Sequence, residues 1–261
     1  MVSSSGRLRR KRKEIDRSIP RAIRIAPGLV TGEAFISQLG KRRRKAAERF
    51  RAHARQIVDY ADFMPRHREF DSVQKMFRWA SVRPPQEIIA QKVGLLNGSR
   101  RCVVFEIGSG FGYGLGTMRA HPAFASIRHL VDFRGMDLVP RGVFPEIATE
   151  SGDALRKPFP KADVIFSQVS AGYMGHIGFL VKKAADSLHP GGIAVLHINK
   201  YGNYDLHIDS APILIKDMDK LSRNIRRLKI DGVHIRVRNG VFLSDGYRSP
   251  DDLVIVLEKN E

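Results

Sequence analysis

Between residues 102 and 116 the chain changes character within one step. Cys102-Val-Val-Phe-Glu-Ile107 is a short apolar run of the length of a buried strand. Glycine then falls at every second position, at Gly108, Gly110, Gly112, Gly114 and Gly116. A strand that breaks into glycines and leads on to a helix predicts a cradle for a ligand. Glycine takes positive φ without penalty, and it lets a ligand approach where a Cβ would clash.

The spacing narrows the ligand. The dinucleotide pattern Gly-x-Gly-x-x-Gly/Ala fails in every register, because its last position falls on Tyr113, Leu115, Thr117 or Arg119. No Gly-Lys-Ser/Thr follows, so the phosphate loop of nucleotide triphosphatases is absent too. What fits is Glu-x-Gly-x-Gly-x-Gly, from Glu106 through Gly108 and Gly110 to Gly112. A carboxylate at the strand end is a poor neighbour for a pyrophosphate and a good one for a cationic ligand. Read alone, the run also suits a glycine-rich turn that holds nothing. In this form it resembles the first motif of the class I S-adenosylmethionine-dependent methyltransferases.

Further segments resemble that family in the same order. Arg83-Pro84-Pro85 predicts a domain boundary, with 1–83 a basic extension and 84–261 the cofactor-binding domain. Proline suits the first turn of the helix that follows, and Asn97-Gly98 suits its end. A helix is expected from about Gly114 to Ala120. Phe133-Arg-Gly-Met-Asp137-Leu138-Val-Pro140 resembles the second motif, whose carboxylate takes the ribose hydroxyls. Asp137 lies 25 residues past Gly112, and its rival Asp132 lies 20 past it, the usual spacing for a ribose-binding acid. Asp137 is preferred on the resemblance. Ser151-Gly152-Asp153-Ala154 resembles the segment that faces adenine, and it precedes a strand at 163–167. The resemblance implies that Ser167 and Gln168, just past that strand, line the site. The Asp/Asn-Pro-Pro-Tyr/Phe signature of base-amine methylation is absent there. A helix from Gly172 to Leu188, a reversal at His189-Pro-Gly-Gly192 and a strand at 193–198 follow, then a basic helix around 216–227 and strands near 233–237 and 253–257.

The resemblance covers roughly residues 85–258 and implies an α/β fold: a Rossmann-like doubly wound sheet with a C-terminal antiparallel strand pair, preceded by a basic, mostly helical N-terminal extension. It implies S-adenosyl-L-methionine as cofactor, held by Glu106, Gly108, Ser109, Gly110, Gly112, Asp137, Leu138, Asp153, Ala154, Ser167 and Gln168. Methyl transfer from a sulfonium needs positioning and desolvation more than covalent machinery, with a general base where the acceptor holds a proton. His176 and His197 are the candidate bases, and Tyr173 could orient an acceptor. His207 and Asp209 make only a pair, so no metal site is expected.

Charge bears on the acceptor. The formal net charge is +18, and residues 1–83 hold 22 of the 45 Lys and Arg but only 8 of the 27 Asp and Glu. Such asymmetry points to a polyanion, and nucleic-acid contact is expected through residues 1–55. The arm Arg7–Lys13, the block Lys41–Lys45 and an expected helix at 33–60 carry it. Phe63, Phe70, Phe77 and Trp79 either stack bases or pack on the main domain. The stretch Ser167–Ile177 looks more like the small-molecule branch of the family, so a small-molecule acceptor stands slightly ahead of RNA. A catalytically silent RNA-binding module and a nucleotide-dependent oxidoreductase are the rivals. The lone Cys102 offers no disulfide or thiolate cluster, and no apolar run is long enough to span a membrane. A cytoplasmic location is expected, with a mitochondrial presequence opposed by Glu14 and Asp16. Oligomeric state is left open.

Overall fold

The computed structural model describes residues 70–110, 112–137, 144–168, 170–171, 177–199, 218–242 and 248–261. Residues 1–69, with the basic arm and the helix expected at 33–60, lie outside them, as do Leu138, Tyr173, His176, His207 and Asp209.

The elements in chain order are α1 (Phe70–Trp79), α2 (Pro85–Leu96), β1 (Cys102–Ile107), α3 (Tyr113–Ala120), β2 (Val131–Asp137), β3 (Ala148–Ser151), β4 (Ala162–Ser167), α4 (Ile177–Ser187), β5 (Leu188–Asn199), α5 (Met218–Arg226), β6 (Val233–Phe242) and β7 (Arg248–Lys259). The strands form one sheet in the order β3-β2-β1-β4-β5-β7-β6. Strands β1 to β5 are mutually parallel, and β7 runs antiparallel to both β5 and β6. The expected Rossmann-like sheet with an antiparallel pair at its C-terminal edge is therefore the fold of this chain.

Both faces of the parallel part are covered, which is why its strands read as near-continuous apolar runs. Side chains alternate across the sheet. Cys102, Val104, Val164, Phe166, Ile193 and Val195 meet α1, α2 and α3 in one core. Phe105, Ile107, Ile165, Ala194 and Leu196 meet α4 and α5 in the other. Helix α1 buries Phe70, Val73, Met76 and Phe77, and Trp79 packs against the same core. Of the two readings open for these aromatics, packing is the one observed for Phe70, Phe77 and Trp79. Residues 70–80, which precede the expected boundary, thus share a core with the sheet. The first N–H of α1 donates to Thr117 Oγ1 on α3 at 2.8 Å, so α1 is tied to the helix that follows the glycines.

The chain moves outward from β1 through β2 to β3 and then returns to the other side of β1 as β4. That reversal opens a crevice beyond the carboxyl ends of β1 and β4, the place where open α/β sheets bind ligands. The glycine loop follows β1 at this point.

Several boundaries differ from the sequence reading. Strand β3 was not expected. Helix α4 ends at Ser187, and β5 begins at once, because Leu188 pairs with Ala162. His189-Pro-Gly-Gly192 is therefore an irregular opening of β5 rather than a separate reversal; Gly191 has φ +67°, and pairing with β4 resumes at Ile193. The last two strands run well past the expected 233–237 and 253–257.

Candidate functional site

The loop after β1 is held by its own backbone. Gly108, Gly110 and Gly112 have φ of +73°, +54° and +79°. The N–H groups of Gly108 and Ser109 both donate to Met136 O, at 2.7 and 3.1 Å, which lashes the loop to the end of β2. Gly112 N–H donates back to Ser109 O at 2.8 Å, and α3 starts there. Gly108 also makes room: a Cβ on it would lie 2.2 Å from Ser170 Oγ and 2.3 Å from Ser170 Cβ. Ser170 is pinned in that position. Its hydroxyl donates to Ile107 O at 2.7 Å, lies 2.7 Å from Ser167 Oγ, and its backbone bridges to Ile198. The chain leaving β4 thus crosses directly over the glycine loop.

Two carboxylates lie at the carboxyl ends of the adjacent strands β1 and β2. Glu106 is 1% exposed in β1, on the face that carries Cys102 and Val104. Asp137 is the last residue of β2, buried, and its Oδ2 accepts the Gly110 N–H at 2.8 Å. The residue expected to meet the ribose is therefore also a strut of the glycine loop. Asp132 is the second residue of the same strand, pairs with Arg134 at 2.6 Å, and lies at the far end from the loop. Ser109 Oγ is fully buried and has no hydrogen-bond partner among the described residues. A Cβ at Gly135 would come within 2.5 Å of it, so the glycine of Gly-Met-Asp exists to admit Ser109.

The segment after β3 joins this group. Gly152 N–H donates to Asp137 O at 2.8 Å. Asp153 Oδ1 accepts the Leu155 N–H at 2.9 Å, and its carbonyl accepts the N–H groups of Arg156 and Lys157, each at 2.8 Å. Ala154 is buried beside it. Ser167, the last residue of β4, and Gln168 just beyond it are buried, and Gln168 Oε1 has no partner among the described residues.

Of the candidate catalytic residues, Tyr173 and His176 lie outside the described residues, as does Leu138. His197 lies near the end of β5, buried, with Nε2 3.0 Å from Asp252 Oδ1 on β7 and its ring 5.7 Å edge-on from Trp79 of α1. The sheet thus brings Glu106, Gly108, Ser109, Gly110, Gly112, Asp137, Asp153, Ala154, Ser167 and Gln168 to the carboxyl ends of β1 to β4, with His197 beyond them on β5. Asp252 was missed by the sequence reading, although an acid flanking an apolar strand on the same face as Val254 is a detectable signal. Lys183, also missed, binds the loop after Asp153 from α4.

Cys102 is buried, which pushes its thiol up to about 12 and leaves it inert. Among the described residues no three His, Cys, Asp or Glu side chains are grouped to hold a metal ion, and no helix is long and apolar enough to cross a membrane.

No family model matches the sequence, and no characterised protein matches it at a significant level. Solved structures do resemble it. A plantazolicin methyltransferase in complex with a monoazolic desmethylPZN analogue and SAH is 13% identical, covers 98% of this chain and 100% of its own, and superposes with a TM-score of 0.48. A methyltransferase of Haloferax volcanii in complex with its Trm112 activator is 16% identical over 67% of this chain and 97% of its own, with a TM-score of 0.43. A TehB-like SAM-dependent methyltransferase from Corynebacterium glutamicum is 17% identical over 67% of this chain and 98% of its own, with a TM-score of 0.41. At such identities the likeness is one of fold, and the chemistry rests on the residues of the site.

Proposed function

We propose that this chain is an S-adenosylmethionine-dependent methyltransferase whose acceptor is a small molecule. The observation that carries the reading is the donor set at the switch point. A buried carboxylate, Glu106, lies one residue before the end of β1, next to three glycines of positive φ, and a second, Asp137, ends the neighbouring strand. A pyrophosphate at the glycine loop would meet the Glu106 carboxylate, whereas an acid ending β2 suits the ribose of either ligand. A ligand with a cationic methionine part and a ribose diol meets what it needs. Ser109 Oγ, buried without a partner among the described residues, fits a polar ligand beside it.

When bound, the sulfonium supplies an activated methyl group and a good leaving group. The residues of the chain supply position and dryness. Glu106 and the backbone of 108–112 would hold the methionine portion, Asp137 the ribose, and Asp153 with Ala154 the adenine. Ser170, pinned over Gly108, forms the β4 side of the crevice. On the acceptor side His197 is the proposed base. A neutral His197 that donates Nε2–H to Asp252 keeps its Nδ1 lone pair for a proton, with Asp252 fixing the tautomer. Tyr173 and His176 remain proposed partners on the segment after β4.

Calorimetric titration with S-adenosylmethionine, S-adenosylhomocysteine and NAD tests the reading. Micromolar binding of the first two and none of the third is expected. Binding of NAD alone would overturn it. One observation favours a nucleic-acid acceptor instead: the excess of cations in residues 1–83. Deleting residues 1–45 and measuring RNA affinity against salt decides between them, because a phosphate-tracking arm must lower the salt slope when removed.

A further inference from the structure

Lys183 takes no part in the chemistry above, yet it is half-buried on the inner side of α4. Its ammonium donates to the carbonyls of Ala154, at 2.6 Å, and Lys157, and lies 4.3 Å from the centroid of the Phe159 ring. All three contacts belong to the one loop between β3 and β4. An ammonium has three donors and no acceptor, so it can gather carbonyls that would otherwise face each other. The ring adds a cation–π contact. Phe159 in turn packs on Phe105 of β1 at 5.2 Å, so the lysine fastens the loop to the sheet as well as to itself. Among its other bonds, the loop's N–H groups donate to Asp153 and Asp137, and the Lys157 and Lys161 ammoniums donate to Ser151 O and Asp186 O. Lys183 is what serves its inward carbonyls. Burial pushes Lys183 down to about 8, opposed in part by Asp153. A lysine of ordinary surface role would reach water and avoid that cost.

We infer that Lys183 is a positioning residue for the cofactor: by gathering the carbonyls of Ala154 and Lys157 it fixes the loop that presents Asp153 and Ala154 to the purine, and so sets the preference for a 6-amino over a 6-oxo ring. This rests on the methyltransferase reading of the Asp153 loop. A merely structural lysine would change stability and all affinities together. A positioning lysine changes the discrimination between two ligands that differ only at the purine edge.

The test uses the full chain as wild type, K183M and K183R, titrated calorimetrically with S-adenosylhomocysteine and S-inosylhomocysteine. Wild type is expected to prefer the adenosyl ligand at least about tenfold, the scale of one charge-assisted hydrogen bond. K183M should bind that ligand about tenfold more weakly and lose most of the preference, while K183R, which keeps charge and donors, restores it. Where K183M does not fold, K183Q serves in its place. Hydrogen exchange at the 154–157 amides, measured without ligand, is expected to quicken about tenfold in K183M. A K183M protein that keeps both the wild-type preference and the wild-type exchange overturns the inference. A wild type that binds neither ligand overturns the cofactor reading and with it the purine preference, whereas the exchange rates still judge the clamp by themselves.

Discussion

The two sides of the switch point are built from different materials. On the β1–β2 side the shape is set by main chain: three glycines of positive φ, two N–H groups on one carbonyl of β2, and a carboxylate that takes a third N–H. On the β4–β5 side it is set by side chains: the Ser167–Ser170 hydroxyl pair, Gln168, and the buried His197–Asp252 pair under Trp79. Backbone geometry tolerates many neighbours but few substitutions at the glycines themselves. Side-chain geometry can be altered one residue at a time. The first kind of site suits an invariant ligand, the second a ligand that defines the particular protein.

The largest effect that would break this contrast lies where the two sides touch. At Gly108 an alanine meets both a left-handed φ and the pinned Ser170, so a loss of about 2–5 kcal/mol is expected from backbone strain plus overpacking. At Gly112 the φ is similar, but the nearest atoms to a Cβ are 4.0 Å away, so Gly112→Ala should cost about 1–2 kcal/mol, the strain alone. Urea unfolding of both variants checks this. Equal losses would mean that Ser170 yields and the two sides are not interlocked.

Next in size is the pair of aspartates on β2. Asp137→Ala removes the acceptor of the Gly110 N–H and the proposed ribose ligand together. A loss of tenfold or more in affinity for S-adenosylhomocysteine is expected, about 1.5–3 kcal/mol. Asp132→Ala breaks a half-buried pair with Arg134 at the other end of the strand, and should leave that affinity unchanged. If Asp132→Ala matched Asp137→Ala, the loop geometry would not be what holds the ligand.

What was legible from sequence follows the same division. The strand 102–107, the glycine loop and the helix after it were readable because each is a local pattern; the segment with Asp137 was readable only through its resemblance to a family motif, since Asp132 and Arg134 interrupt the apolar pattern of its strand. Strand β3 was not. Ala-Thr-Glu-Ser has no apolar run, three of its four residues are exposed or nearly so, and only pairing with β2 at the sheet's edge makes it a strand. The Pro-Gly-Gly opening of β5 was read as a turn, since nothing local reveals that Leu188 pairs with Ala162. Asp252 left a local trace, an acid flanking an apolar strand, but its role and that of Lys183 come from tertiary contact alone, with partners 55 and 29 residues away.

A smaller effect is expected on the side-chain half. His197→Gln and Asp252→Asn, combined in a double-mutant cycle, should show a coupling of about 0.5–2 kcal/mol in unfolding free energy. Affinity for S-adenosylhomocysteine should stay within about twofold, since the pair lies on the β5 side. A large loss of that affinity would place His197 with the cofactor, and the division between the halves would fail.

The last effect concerns a side chain that ties down the loop between β3 and β4. Burial lowers Lys183 from 10.5 in the unfolded chain to about 8 in the folded one. Below pH 8 both states keep the proton, and stability from this group does not vary. Between pH 8 and 10.5 the unfolded chain keeps a proton that the folded chain has shed, so stability rises with pH; above 10.5 it levels off. Midpoints of urea unfolding for wild type minus K183M should trace that rise, because subtraction cancels the groups they share. The direction is diagnostic. A clamp held mainly by its charge would weaken as the proton leaves, and the difference would fall instead. A neutral amine still has two N–H donors for the carbonyls of Ala154 and Lys157, so the loop keeps its ties while the cost of burying charge disappears. Asp153→Asn sharpens the reading further: without that carboxylate Lys183 drops lower still, and the onset of the rise should move below pH 8.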